Sequence, residues 1–234
     1  MLSKLKSNLQ SLANPEKAKI LQRFFKTGKG QYGEGDVFLG ITVPDQRKVA
    51  REFIDLELKD VQELLNSEIH EYRLVGLIIL TYQYKKYPEK QKDIFYFYLN
   101  NSKRVNNWDL VDLTAPNIVG DFLLKNYDLK KLIYDLASSE NLWEKRIAII
   151  STLAFIRNEK FEDVLAIAEI LLNDSHDLIH KAVGWMLREV GKRDQNAEEK
   201  FLKKHYKNMP RTMLRYAIER FEEEKRKRYL RGEI

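Results

Sequence analysis

Trp108 and Asp112 stand four residues apart, a spacing that puts both side chains on one face of a helix. A large π surface and a carboxylate pointing the same way could form one wall of a site that works through charge and ring contact. The stretch Asn106-Asn107-Trp108-Asp109-Leu110-Val111-Asp112 runs towards Pro116. Proline has no N–H to give the Asp112 carbonyl, so the helix is expected to kink or stop there. The same residues also describe an ordinary buried aromatic beside a capping acid. Taken alone, the stretch favours that plainer reading.

A second pattern lies in 177–191. Ile179, Val183, Met186 and Val190 form an apolar stripe, and Lys181, Trp185, Arg188 and Lys192 repeat the same spacing on the other side. At 100° per residue the two stripes are centred about 180° apart. Trp185 is therefore expected off the core face, among three cations. Such a face is either solvated, with the indole lying on lysine stems, or built for a nucleic-acid backbone. In the second case cations meet phosphates while the ring packs on sugar or base, which suits a tryptophan in a basic stripe better. Arg146 differs, because it sits among Trp143, Ile150 and Leu153 in an apolar arc. A buried arginine must be paired. Asp109 or Asp112 of the preceding repeat is the expected partner, and an Asp–Arg ladder between repeats competes with a ligand-binding role. Arg73 has the same character and reads as structural.

Familiar catalytic machinery is missing. Of the four histidines, His70, His176, His180 and His205, the pair 176 and 180 is spaced by four. It has no glutamate between and no evident third ligand, so no metal is expected. No Gly-x-Ser-x-Gly elbow, Rossmann fingerprint or P-loop ending occurs. Without cysteine there is neither disulfide nor thiolate chemistry. An enzyme built on this chain would have to work with tryptophans, carboxylates and cations.

The elements that must position these groups are helices. Ten Gly and five Pro are few for 234 residues, and 32% of the chain is charged, a composition that favours helix. Residues 3–26 read as two short helices divided at Asn14-Pro15-Glu16, with Asn14 as N-cap. The stretch 27–36 holds four of the ten glycines and reads as a mobile surface loop; Pro44 then opens a helix to about Leu56. From Lys59 onward, amphipathic segments (60–66, 91–101, 128–138, 161–173, 197–206) alternate with segments that are apolar almost all round (69–85, 105–126, 141–157, 177–191, 211–225). Superposing the second kind aligns Arg73, Asp109, Arg146 and Lys181 at intervals of 36, 37 and 35 residues. A helix pair repeating at that period marks an α-solenoid. The expected fold is all-α: one domain, 1–234, of HEAT-like helix pairs forming a curved body with a concave face.

The formal charge is +6, but from Lys181 to the end there are 16 Lys/Arg against 9 Asp/Glu, so the whole excess lies in the last quarter of the chain. A one-sided basic region suggests a polyanion partner, nucleic acid before membrane. No apolar run reaches the roughly 18 residues of a membrane span, and the first residues lack a secretory h-region. A soluble cytoplasmic monomer is expected.

With Trp108, Asp112, Arg146 and Trp185 placed, the chain resembles the AlkD-like family of DNA alkylation-repair glycosylases. The resemblance is carried by 38–41 (Phe-Leu-Gly-Ile), 107–112, 120–124, 142–148 and 181–189, in family order over nearly the whole chain. It implies a protein that cups duplex DNA and hydrolyses the N-glycosidic bond of N3- or N7-alkylated purines, with no cofactor, metal or covalent lysine intermediate. It also implies that the base need not be flipped into a pocket. Trp108 and Trp185 would grip the sugar-phosphate backbone, Asp112 would stabilise positive charge on the sugar and orient the attacking water, and Arg146 would hold a phosphate. Lys181, Arg188 and Lys192 are the remaining DNA-binding candidates. The loop 27–36 looks like an insertion, and Asn107 stands where some relatives carry a further tryptophan. The alternatives are a non-catalytic solenoid that binds damaged or branched DNA and a protein-binding scaffold.

Overall fold

The computed structural model describes residues 1–234. The chain is helical apart from turns and one isolated parallel bridge, Val37 to Ile69. It divides into two compact units, Met1–Thr114 and Ala115–Ile234.

The first unit begins with helices Leu2–Ser11 and Pro15–Phe24, divided where the sequence predicts. Asn14 Oδ1 accepts the Lys17 N–H at 3.0 Å, so the side chain satisfies a donor that helix geometry leaves open. Helix Val43–Glu52 is shorter than expected, because Phe53 leaves the helical region (φ −114, ψ 26). It packs with Leu58–Leu65 on His70–Lys86, whose residues Leu74, Val75, Leu77, Ile79 and Leu80 are buried. A helix covered on several sides must be apolar on several sides, which explains why 69–85 lacks a polar face. Helix Pro15–Phe24 is the exception, with no buried residue.

Helix Trp108–Ala115, which lies in the first unit up to Thr114, is followed directly by a π-helical stretch, Pro116–Gly120, and by Asp121–Lys125. The expected kink or stop is thus absorbed as one wide turn, in which the Asp121 N–H reaches back to the Pro116 carbonyl. In the second unit Lys131–Ala137 packs on Leu142–Ser151, and Asp177–Gly191 packs on Leu142–Ser151, Gln195–His205 and Arg211–Ala217. Gly184 sits where Asp177–Gly191 and Arg211–Ala217 come together, and a Cβ there would lie 2.4 Å from the Met213 carbonyl oxygen. Only glycine permits that approach.

Two expected helices are broken. The stretch 141–157 divides into Leu142–Ser151 and Leu153–Arg157. The stretch 211–225 divides at Phe221, which is extended, and Glu222 then caps a separate helix, Glu223–Arg231, by accepting the N–H groups of Glu224 and Lys225 at 3.1 Å. The repeat register itself holds. Arg73, Asp109, Arg146 and Lys181 each lie within the first five residues of their helix.

Candidate functional site

The candidate residues fall into two groups, one in each unit. In the first unit Trp108 and Asp112 share one face of Trp108–Ala115, and both are half-buried. The indole stacks on Phe25 (centroids 5.1 Å, interplanar 16°) and meets the edge of Phe24 at 5.9 Å. Phe24 and Ile20 of Pro15–Phe24 are more than 60% exposed, and they flank a cavity of about 270 Å³ floored by His70, Glu71 and Leu74. Burial pushes the Tyr98 phenol well above its ordinary value; the Thr114 hydroxyl at 3.0 Å opposes this, and the charge of Asp112 adds to it.

Beneath Trp108 runs a buried polar chain. His70 Nε2 lies 2.8 Å from Asp109 Oδ2, and His70 Nδ1 lies 3.1 Å from Asp36 Oδ2. Arg73 Nη2 donates to Asp36 Oδ1 at 2.6 Å, and Asn107 Nδ2 donates to Asp36 Oδ2 at 3.3 Å. Asn107 Oδ1 accepts the Trp108 N–H at 2.8 Å. Burial alone would strip the proton from His70, but the charge and hydrogen bond of Asp109, with the hydrogen bond of Asp36, push its pKa up to about 9. Burial likewise opposes ionisation of Asp36, yet His70 and Arg73 hold its carboxyl below the usual range. Glu71, also buried, accepts the N–H groups of Leu39, Gly40 and Ile41 at 2.9, 2.8 and 3.3 Å. Gly40 takes φ +84 there, and a Cβ on it would strike the Asn14 carbonyl oxygen at 2.2 Å.

These contacts correct two expectations. Asp109 is the partner of a histidine, not of an arginine. Arg73 is structural as expected, but its carboxylate comes from the Gly-rich stretch. The loop 27–36 is accordingly anchored, its last residue, Asp36, being 6% exposed at the centre of the chain.

In the second unit Arg146 is buried, and its Nη1 donates to the Leu178 carbonyl at 2.6 Å. It thereby ties its own helix to the first turn of Asp177–Gly191, the helix that carries Trp185. That helix is capped by His176, whose Nδ1 accepts the Leu178 N–H at 3.1 Å, while His180 Nε2 lies 2.5 Å from the Asp174 carbonyl oxygen. Burial lowers the His176 pKa, in keeping with a neutral acceptor. Ile179, Val183, Met186 and Val190 are fully buried, and Trp185 on the opposite stripe is half-buried, as the spacing predicts. The cations around it are paired within the protein. Lys181 bridges Asp177 at 2.7 Å, Lys192 bridges Glu189 at 2.7 Å, and Arg188 meets Glu219. Glu189 also accepts the Trp185 indole N–H at 3.1 Å. The expected basic stripe is therefore charge-balanced.

Residues 5–221 match a family described as DNA alkylation repair enzymes. The chain belongs to that family. Its all-α helical-repeat fold recurs in solved structures. One, a predicted DNA alkylation repair enzyme from Enterococcus faecalis, is 17% identical, with 90% of this chain and 97% of that chain covered and a TM-score of 0.72. AlkD2 from Streptococcus mutans is 16% identical, covering 89% of this chain and 99% of that one, at TM-score 0.58. The protein smu.31 from Streptococcus mutans UA159 is 17% identical, covering 86% and 96%, at TM-score 0.54. No curated protein matches the chain. No helix is long and apolar enough to cross a membrane.

Within this family member, His70 and Asp36 are the residues that sequence reasoning passed over. A lone histidine at the start of a helix, beside Glu71 and Arg73, carries a weak signal, and Asp36 was hidden in a loop defined by its glycines.

Proposed function

We propose that the protein is a monofunctional DNA glycosylase that hydrolyses the N-glycosidic bond of N3- or N7-alkylated purines in duplex DNA. The reading is carried by one observation: Trp108 and Asp112 lie half-buried on one helical face, in a chain whose family repairs alkylated DNA. A purine alkylated at N3 or N7 is already cationic. When its bond to C1′ breaks, the electron pair returns to the ring and the base leaves neutral, so no acid is needed at the leaving nitrogen. The charge that needs help is the one developing on the sugar. A carboxylate and an aromatic face supply that help, and Asp112 also takes up the proton that the attacking water loses as it adds to C1′. Trp185 packs on the sugar-phosphate backbone and Lys181, Arg188 and Lys192 serve its phosphates, while Arg146, buried and bonded to the Leu178 carbonyl, holds the helix that carries them instead of meeting a phosphate as the resemblance implied.

The test is release of free base from methylated duplex DNA, followed by chromatography in the presence of EDTA. Free 3-methyladenine or 7-methylguanine without strand scission is the expected product. Binding with nothing released would instead favour a non-catalytic binder of damaged or branched DNA.

The charge-balanced stripe carries a prediction of its own. Glu189 pairs with Lys192 by charge and accepts the Trp185 indole N–H, so Glu189→Gln, which keeps an acceptor for the indole, should free Lys192 for DNA. Affinity for duplex DNA at low salt is expected to rise roughly threefold to tenfold, with the gain fading as salt screens it. A fluorescence-anisotropy titration that shows unchanged or weaker binding would remove this stripe from the interface.

A further inference from the structure

His70 takes no part in the chemistry proposed above, yet everything it touches leads to Trp108. One route runs through the main chain. Asp36 takes the Asn107 amide, Asn107 takes the Trp108 N–H, and the adjoining Asp109 takes His70. The other runs through rings. His70 stacks on Phe38 (4.5 Å, 21°), Phe38 on Phe25 (5.0 Å, 19°), and Phe25 on Trp108 (5.1 Å, 16°). Four near-parallel rings from separate stretches of chain thus connect the imidazole to the indole.

We propose that His70, clamped between Asp36 and Asp109, is the positioning residue of the site, setting both the start of helix Trp108–Ala115 and the pitch of the Trp108 ring. Its effect on rate rests on the glycosylase reading; its effect on Trp108 does not. Two carboxylates at 3.1 and 2.8 Å ask for a donor on each ring nitrogen, which only the imidazolium provides. The other charged groups around it are Arg73 on its own helix, and Glu71 and Lys17, which line the same cavity. Glu71 is occupied by the backbone of 39–41. The proton is held to about pH 9. Above that, one carboxylate loses its donor and the clamp opens on one side.

The experiment follows Trp108 emission, in a Trp143→Phe/Trp185→Phe background, from neutral to alkaline pH, beside the single-turnover base-release rate of the otherwise native chain. In wild type, emission should shift with a midpoint about 9. Asp36→Asn keeps the shape but removes one charge, so the midpoint should fall by roughly one pH unit. His70→Gln should abolish the transition and lower the single-turnover rate roughly 10- to 100-fold at neutral pH, with the Kd for DNA within about threefold. An emission signal that does not titrate, or an unmoved midpoint in Asp36→Asn, overturns the proposal, and the second outcome decides even if His70→Gln fails to fold. If no variant releases base, the glycosylase reading falls while the emission titration still decides the positioning role.

Discussion

Asp112→Asn is expected to slow base release at least ~10²-fold in single turnover while leaving the Kd for duplex DNA within about threefold. The amide keeps the size and reach of the carboxylate but loses both its charge and its capacity to take up the proton of the attacking water. Bond breaking in an alkylpurinium moves positive charge from the base to the sugar, so the carboxylate is worth most at the transition state and little in the ground state. The loss should therefore fall on the chemical step. Binding should not weaken, because a negative group facing a polyanion contributes repulsion, and DNA affinity could even improve slightly. Rates on one defined methylated site, with affinities measured alongside, separate the two effects. Retention of full activity in Asp112→Asn would refute the assigned role.

The largest effect on stability should come from Glu198. This residue is 1% exposed, its Oε1 has no hydrogen-bond partner, and its other oxygen occupies the space that a Cβ on Gly191 would fill. Burial, assisted by the charge of Glu199 and partly offset by Arg188, pushes its carboxyl up to about 8. The unfolded chain ionises this group near 4.5, while the folded chain keeps it protonated until about 8. Between those values the folded state binds the extra proton, so stability falls as pH rises through that window and levels off above it. The penalty at its full extent is on the order of 3–5 kcal/mol. Glu198→Gln removes the titration. Thermal melts should show variant and wild type close at pH 5 and the variant higher by roughly 10 °C at pH 8.5. Parallel curves across that range would mean that Glu198 is not a buried acid.

The fold was legible because its signal is periodic. Helix pairs that bury their faces on neighbours repeat their pattern, and the alignment of Arg73, Asp109, Arg146 and Lys181 follows from that physical repeat. The stripes of 177–191 were legible for the same reason. Pairing was not. His70 meets carboxylates 34 and 39 residues away, and nothing local in sequence announces such contacts, so Asp109 was given to the wrong partner. The charge balance of the Trp185 stripe was within reach: Glu189 follows Trp185 by four residues, the spacing at which helix side chains meet. Counting the cations without their neighbouring acids hid it. The broken helix turned on two consecutive non-helical residues, Phe221 and Glu222, that no pattern of apolar positions predicts.

That pairing also changes what a salt titration of DNA binding would count. Cations leave the DNA atmosphere in proportion to the net positive charge a protein brings, by about 0.9 per phosphate neutralised on B-form DNA. Lys181, Arg188 and Lys192 arrive with Asp177, Glu189 and Glu219 attached, so each phosphate they meet displaces a carboxylate of the protein's own and sheds few mobile ions. The number of basic residues at such an interface would then exceed the slope of log K against log salt, and affinity would decline with ionic strength more gently than the composition of the stripe suggests.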